Sequence, residues 1–331
     1  MRVIRNLASA RARAVVAVIG TSCLTLALGA CGVRVDTPPP AIPSPGTEEV
    51  ARQAAAETAG TIADLAAAVP DPDEALGLLL ADVVAASAEH VEALGGVWEA
   101  PPRPTTSPAS PEPTPTAPAG SSPEDVLAAL VAGAEEARTQ ALAVDDGDLT
   151  TLLASILLWR TVAAHDVADL LGSDAAAELT GGLDRTSLGL TSFPGGTDLV
   201  RAVDAAAYAY EVLAARAEGD VVATWAGRGR ELRDTAEAVA LGSGLAGTAG
   251  DPREAAYDVA ALAEVEPLAA VTAVENDLIM TWVAASSTVP EQGRTLALDA
   301  AVDAATTART WLLAQGVTGL AGLGALPGLP A

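Results

Sequence analysis

Residues 198–218 read DLVRAVDAAAYAYEVLAARAE. Leu199, Ala202, Ala206, Tyr210, Leu213 and Ala217 recur at three- and four-residue spacing, so one stripe of an α-helix is apolar. Asp204, Glu211 and Glu218 repeat every seven residues at roughly 100–140° from that stripe, which places them on a solvated face. Alanine, the best helix former, fills much of the remainder. The same pattern recurs at 220–240, 267–287 and 291–315, giving four long helices in the C-terminal half.

The N-terminal half repeats the theme. A helical pattern from Thr47 to about Ala68 stops at Val69-Pro70-Asp71-Pro72, where Asp71 is expected to cap the next helix with Pro72 at its first position. That helix ends at Gly95-Gly96. Ser122-Pro123-Glu124-Asp125 reads as a capping box with proline inside the start, opening helices at 123–142 and 148–171. Short helices are expected at 174–179 and from Asp251-Pro252-Arg253-Glu254 onward. No segment alternates apolar and polar residues over a strand length, so the chain is expected to be all-α, with the eight long helices as a tandem of bundles or hairpins.

Composition narrows the function. The 331 residues include 76 Ala, 18 Arg and no Lys, against 43 acids, for a net charge of −25. That excess of acid argues against nucleic-acid binding, which needs a basic face. Two cysteines, Cys23 and Cys31, cannot build a disulfide scaffold or a cysteine-rich zinc site. Neither a phosphate-cradling glycine loop nor a nucleophile elbow is present in the sequence.

The N-terminus reads as an address. Arg2, Arg5, Arg11 and Arg13 precede an apolar run from Ala14 to Ala30, which closes on Leu28-Gly29-Ala30-Cys31. A basic segment, an apolar segment and small residues before a cleavage point define a secretory leader. The last tetrapeptide resembles the lipobox of bacterial lipoproteins. The resemblance implies that Cys31 carries the acyl chains and becomes the first mature residue, leaving the protein membrane-anchored on the extracytoplasmic face. Removal of the leader takes four Arg and no acids, so lipid rather than a polybasic patch would hold so acidic a chain at a membrane.

The resulting organisation is a leader at 1–30, a Pro-rich tether at 31–46, a helical hairpin at 47–98, and a Pro/Thr/Ser-rich linker at 99–122. A helical segment at 123–180, a loop at 181–197, a helical bundle at 198–315 and a Gly/Leu-rich tail at 316–331 complete it. The linker is expected to be flexible, since nine prolines between 101 and 123 leave little apolar surface to bury.

Residues 198–313 resemble a ferritin-like domain of unknown function from actinobacterial cell-envelope proteins. The likeness rests on Ala206-Ala207-Tyr208-Ala209-Tyr210, the run from Arg228 to Asp234, Asp251-Pro252 through Tyr257, Ala273-Val274-Glu275-Asn276-Asp277 with Trp282, and Asp303 through Trp311. It implies a ferritin-like four-helix bundle. Where relatives carry Glu-His on the first helix of the domain, this chain has Val203-Asp204.

A conventional di-iron centre needs Glu-x-x-His on two helices. The only histidines are His90 and His165, preceded at that spacing by Ser87 and Val162. No metal or other cofactor is therefore expected. His90 falls on the apolar face of its helix, as a hydrogen-bonded core residue; His165 falls on the opposite, solvent face of its own.

Four charges fall on apolar faces. Glu275 lies in the stripe of Leu268, Val271, Leu278, Ile279 and Trp282, and needs a buried cation. Arg309, among Leu298, Val302, Ala305 and Leu312, is the expected partner. An ideal hairpin offsets the two by roughly 10 Å at 1.5 Å per residue, so Arg228, inward beside Val221, Trp225 and Leu232, is the alternative. Arg160 poses the same problem in the first half. The candidate buried polar site is thus Glu275, Arg309 and Arg228, read either as a register-fixing ion pair or as a working polar site. The chain is expected to be a non-enzymatic lipoprotein with a binding or structural role in the cell envelope. An unconventional metal or redox protein and a small-molecule or lipid-binding bundle are the rivals.

Overall fold

A computed structural model describes residues 45–98, 120–193 and 196–330. The leader, Cys31, the tether up to residue 44 and the linker from 99 to 119 lie outside the described residues. Among those described, every regular element is helical.

Four antiparallel hairpins make up most of the structure. They are α1 (Thr47–Ala67) with α2 (Glu74–Ala93), α3 (Pro123–Ala143) with α4 (Gly147–Leu171), α6 (Thr197–Ala214) with α7 (Val221–Gly242), and α8 (Pro267–Thr288) with α9 (Glu291–Ala314). The short helices α5 (Arg185–Leu190) and α10 (Gly319–Leu323) pack on α7 and on α4 and α9, respectively. Local chemistry sets the starts. The Ser122 hydroxyl and Asp125 carboxylate cap each other's backbone at α3, with Pro123 at the first position. Asp146 accepts from the Leu149 amide at α4, and Gly172 ends that helix at φ 62°.

The two halves do not form separate bundles. Helix α4 packs on α2 and α3 on one side and on α8 and α9 on the other, and is buried nearly all round. Leu153, Ile156 and Trp159 of α4 belong to one continuous apolar core that runs from Ala51 to Leu320. A helix enclosed on all sides must be apolar all round, which explains the run Ala154-Ser155-Ile156-Leu157-Leu158-Trp159.

Several boundaries differ from those expected. The turn holds Asp71 at φ 46°, so α2 starts two residues later, with Asp73 accepting from the Leu76 amide at 2.9 Å. Residues 175–178 form a turn where a helix at 174–179 was expected. The expected loop at 181–197 contains α5, whose start Asp184 caps through the Thr186 amide and the Ser187 hydroxyl. Residues 251–259 stay irregular because Asp251 spends its carboxylate on the Arg253 side chain and on the amides of Gly247 and Arg253, and only a single 3-10 turn, Ala261–Glu264, follows. The tail is structured: Leu320 is buried, the Ala325 carbonyl accepts from His90, and Gly328 lies against Val283 and Ile279.

Candidate functional site

Glu275 sits at the middle of α8 with no exposed surface. Arg228 of α7 grips it with one edge of its guanidinium: Nε donates to Oε1 and Nη2 to Oε2, each at 2.8 Å. The Tyr210 hydroxyl of α6 donates to Oε1 at 2.7 Å, and the Trp311 indole of α9 donates to the Tyr210 oxygen at 2.9 Å. The third guanidinium nitrogen of Arg228, Nη1, donates to Asp303 of α9 at 2.6 Å. One hydrogen-bonded centre therefore ties α6, α7, α8 and α9 together. Gly229 lets α6 come close beside it, since a Cβ there would lie 3.3 Å from the Ala207 carbonyl and from Tyr210 Cβ.

Burial pushes the Glu275 carboxyl above its usual range while the Arg228 charge and the hydrogen bonds pull it down. Burial also works against the Arg228 charge, but Glu275 and Asp303 outweigh it and hold the guanidinium firmly protonated. The fork of Arg228 occupies both carboxylate oxygens of Glu275, which is the place where a cation would bind. Among the described residues no group of three or more His, Cys, Asp and Glu side chains is placed to hold a metal ion. Above the centre opens a cleft of about 510 Å³, lined by Arg228, Glu231, Asp303 and Trp311 with threonines of α7 and α9.

Arg309 does not reach Glu275. It turns from α9 toward α4, where its Nε donates to Asp166 at 2.6 Å and its Nη2 binds Asp169. The helical offset between the two residues decides this, and Asp166 is a nearer buried carboxylate. Asp166 also accepts from the Leu320 amide at 3.1 Å, so the clamp pins α10 as well. Burial raises the Asp166 carboxyl, against the pull of Arg309.

Asp204 is buried rather than part of a solvated stripe. Arg233 donates to it at 2.7 Å, and Tyr257 covers it and donates at 2.8 Å. The buried face of α6 takes in Val200, Val203 and Ala207 beside Asp204, and 251–259 folds over its edge, so the helical wheel set Asp204 on the wrong side. The same applies to His165, expected at the surface but half-buried, with the backbone at Leu179 folded against it. His90 is enclosed, with its Nε2 2.7 Å from the Ala325 carbonyl and its ring edge-on to Trp159. Burial lowers its pKa to about 4, so it stays neutral. Arg160, fully buried, has no carboxylate in contact among the described residues; it donates to the carbonyls of Gly133 and Ala55 at 2.9 and 3.1 Å. Desolvation lowers its pKa to about 10, still far above neutrality.

Sequence reasoning missed the roles of Tyr210, Trp311, Asp303, Asp166 and Asp169. Tyr210 and Asp303 lay within stretches already singled out, and a buried hydroxyl on an apolar face signals a partner. Asp166 and Asp169 had no such signal.

A family model described as a domain of unknown function, DUF4439, matches residues 195–331. The match includes the tail and every residue of the Glu275 centre, and it excludes α1 to α5. No curated protein and no solved structure matches the chain.

Proposed function

We propose that the chain is a lipid-anchored protein of the extracytoplasmic membrane face, whose ferritin-like C-terminal helices serve binding or architecture in the cell envelope rather than catalysis. The observation that carries the anchor is Leu28-Gly29-Ala30-Cys31 closing a basic and then apolar leader. Support for a binding or structural body comes from the Glu275 centre. Both oxygens of its carboxylate are engaged by Arg228 and Tyr210 and it has no exposed surface, an arrangement that suits holding helices in register better than proton transfer. The test is replacement of Cys31 by Ser, followed by labelling with a fatty-acid analogue and cell fractionation. Loss of both label and membrane association is expected; unchanged labelling and association would contradict the reading.

One observation favours a second reading, a small-molecule-binding bundle. The cleft above Arg228 has the size of ligand sites, at about 510 Å³. Native mass spectrometry of the purified chain distinguishes the two, since a retained small molecule would favour the second. Elemental analysis of the same sample tests the metal-protein alternative, which stoichiometric iron or manganese would support.

A further inference from the structure

Beside the Arg309 clamp, α2, the C-terminal ends of α4 and α9, and α10 enclose an open groove of about 590 Å³. Four large apolar side chains line it while remaining exposed: Leu78 at 66 %, Leu170 at 50 %, Leu313 at 41 % and Val317 at 36 %. They come from separate elements, so they form a convergent patch rather than one helix's stray residues. Patches of this kind mark interaction surfaces.

The charge around the patch specifies the partner. Asp82 and Asp169 border the groove with exposed carboxylates, and Asp166 lies at its floor. The one cation there, Arg309, is spent on Asp166 and Asp169. Asp82 has no ion-pair partner among the described residues. An apolar floor with acidic borders fits apolar anchors flanked by basic residues. A second copy of this chain is disfavoured, because its net charge of −25 would set acid against acid. An anionic membrane surface is repelled for the same reason. A groove bordered by helices suits the i, i+3, i+4, i+7 anchors of a helix.

We propose that this groove docks a basic amphipathic helix of another protein, leucine-type side chains entering between Leu78, Leu170 and Leu313 and Lys or Arg meeting Asp82 and Asp169. The proposal rests on the reading of the body as a binding module and is independent of the lipid label, so failure here leaves the Cys31 result standing.

The test uses the secreted chain with Cys31→Ser and three probes: a fluorescent 14-residue Leu/Lys amphipathic helix, its Leu/Glu counterpart, and phosphatidylcholine vesicles. The Leu/Lys helix is expected to bind in the micromolar range. Leu78→Asp/Leu170→Asp should weaken it at least tenfold and Asp82→Lys about fivefold, and the Leu/Glu helix should not bind. Both changes are at exposed positions, and thermal unfolding checks the fold. Photo-cross-linking of the Leu/Lys helix from position 170 gives a readout that does not depend on the substitutions at 78 and 82. Undiminished binding by the Leu78→Asp/Leu170→Asp variant, equal binding of the Leu/Glu helix, or groove-dependent binding of vesicles without the peptide would overturn the proposal.

Discussion

The Arg228 centre and the Arg309 clamp are built from the same chemistry and serve opposite ends. Arg228 is almost wholly enclosed and joins the four long helices of the C-terminal half through Glu275, Tyr210, Asp303 and Trp311. Arg309 lies at the edge, holds α4 and α10 through Asp166 and Asp169, and floors an open apolar groove. An enclosed bidentate pair costs heavily to dismantle, because its surviving partner is stranded away from water. The Arg309–Asp166 pair is nearly as enclosed, but Asp166 keeps a backbone donor in Leu320 and Arg309 also binds the water-facing Asp169, so its loss should cost less.

The largest effect should come from the enclosed centre. Glu275→Leu leaves Arg228 with only the partly exposed Asp303 and Glu231 and is expected to cost about 3–5 kcal/mol in denaturant unfolding. A loss below about 1 kcal/mol would make the centre no more demanding than the clamp and erase the contrast.

Next is the tail beside the clamp, which His90 fastens through the Ala325 carbonyl. Its pKa lies near 4 in the folded chain against 6.5 in the unfolded one, since burial disfavours the imidazolium. The unfolded state therefore binds more protons in that window. The contribution is fully present above about pH 6.5 and falls away as the pH drops toward 4, by up to roughly 3 kcal/mol. The stability difference between wild type and His90→Gln, followed across pH 4–7, should show that slope.

Arg309→Leu should cost about 1.5–3 kcal/mol, the range for hydrogen bonds to charged groups, because Asp166 keeps the Leu320 amide. Equilibrium unfolding of that variant beside Glu275→Leu checks the order of the two. The smallest effect belongs to the groove wall: Leu78→Asp should change stability by less than about 0.5 kcal/mol, as for other exposed positions. A larger loss in the same assay would mean that Leu78 serves the fold rather than the surface.

The helices were largely legible in the sequence because their signals are local. Ser122 and Pro123 mark a helix start wherever they lie, and the apolar stripe around Glu275 identified a buried charge without any tertiary information. Which cation meets that charge is a different matter. Arg309 and Arg228 both face inward, and only the stagger of α8 and α9 together with the position of α4 separates them. Asp204 and His165 were read as solvent-facing because a helical wheel describes a lone helix, and irregular segments at 251–259 and around Leu179 supply their cover. The sharing of α4 between both halves was equally beyond periodicity, although its all-round apolar sequence records the result.

Which arginine neutralises Glu275 decides whether the two sites are separate. A double-mutant cycle combining Glu275→Leu with Arg228→Leu, run beside one combining Glu275→Leu with Arg309→Leu, measures this directly. The structure predicts a coupling of about 2–3 kcal/mol for Arg228 and under about 0.5 kcal/mol for Arg309. Strong coupling to Arg309 with none to Arg228 would contradict the assignment of the enclosed centre and, with it, the separation of the two sites.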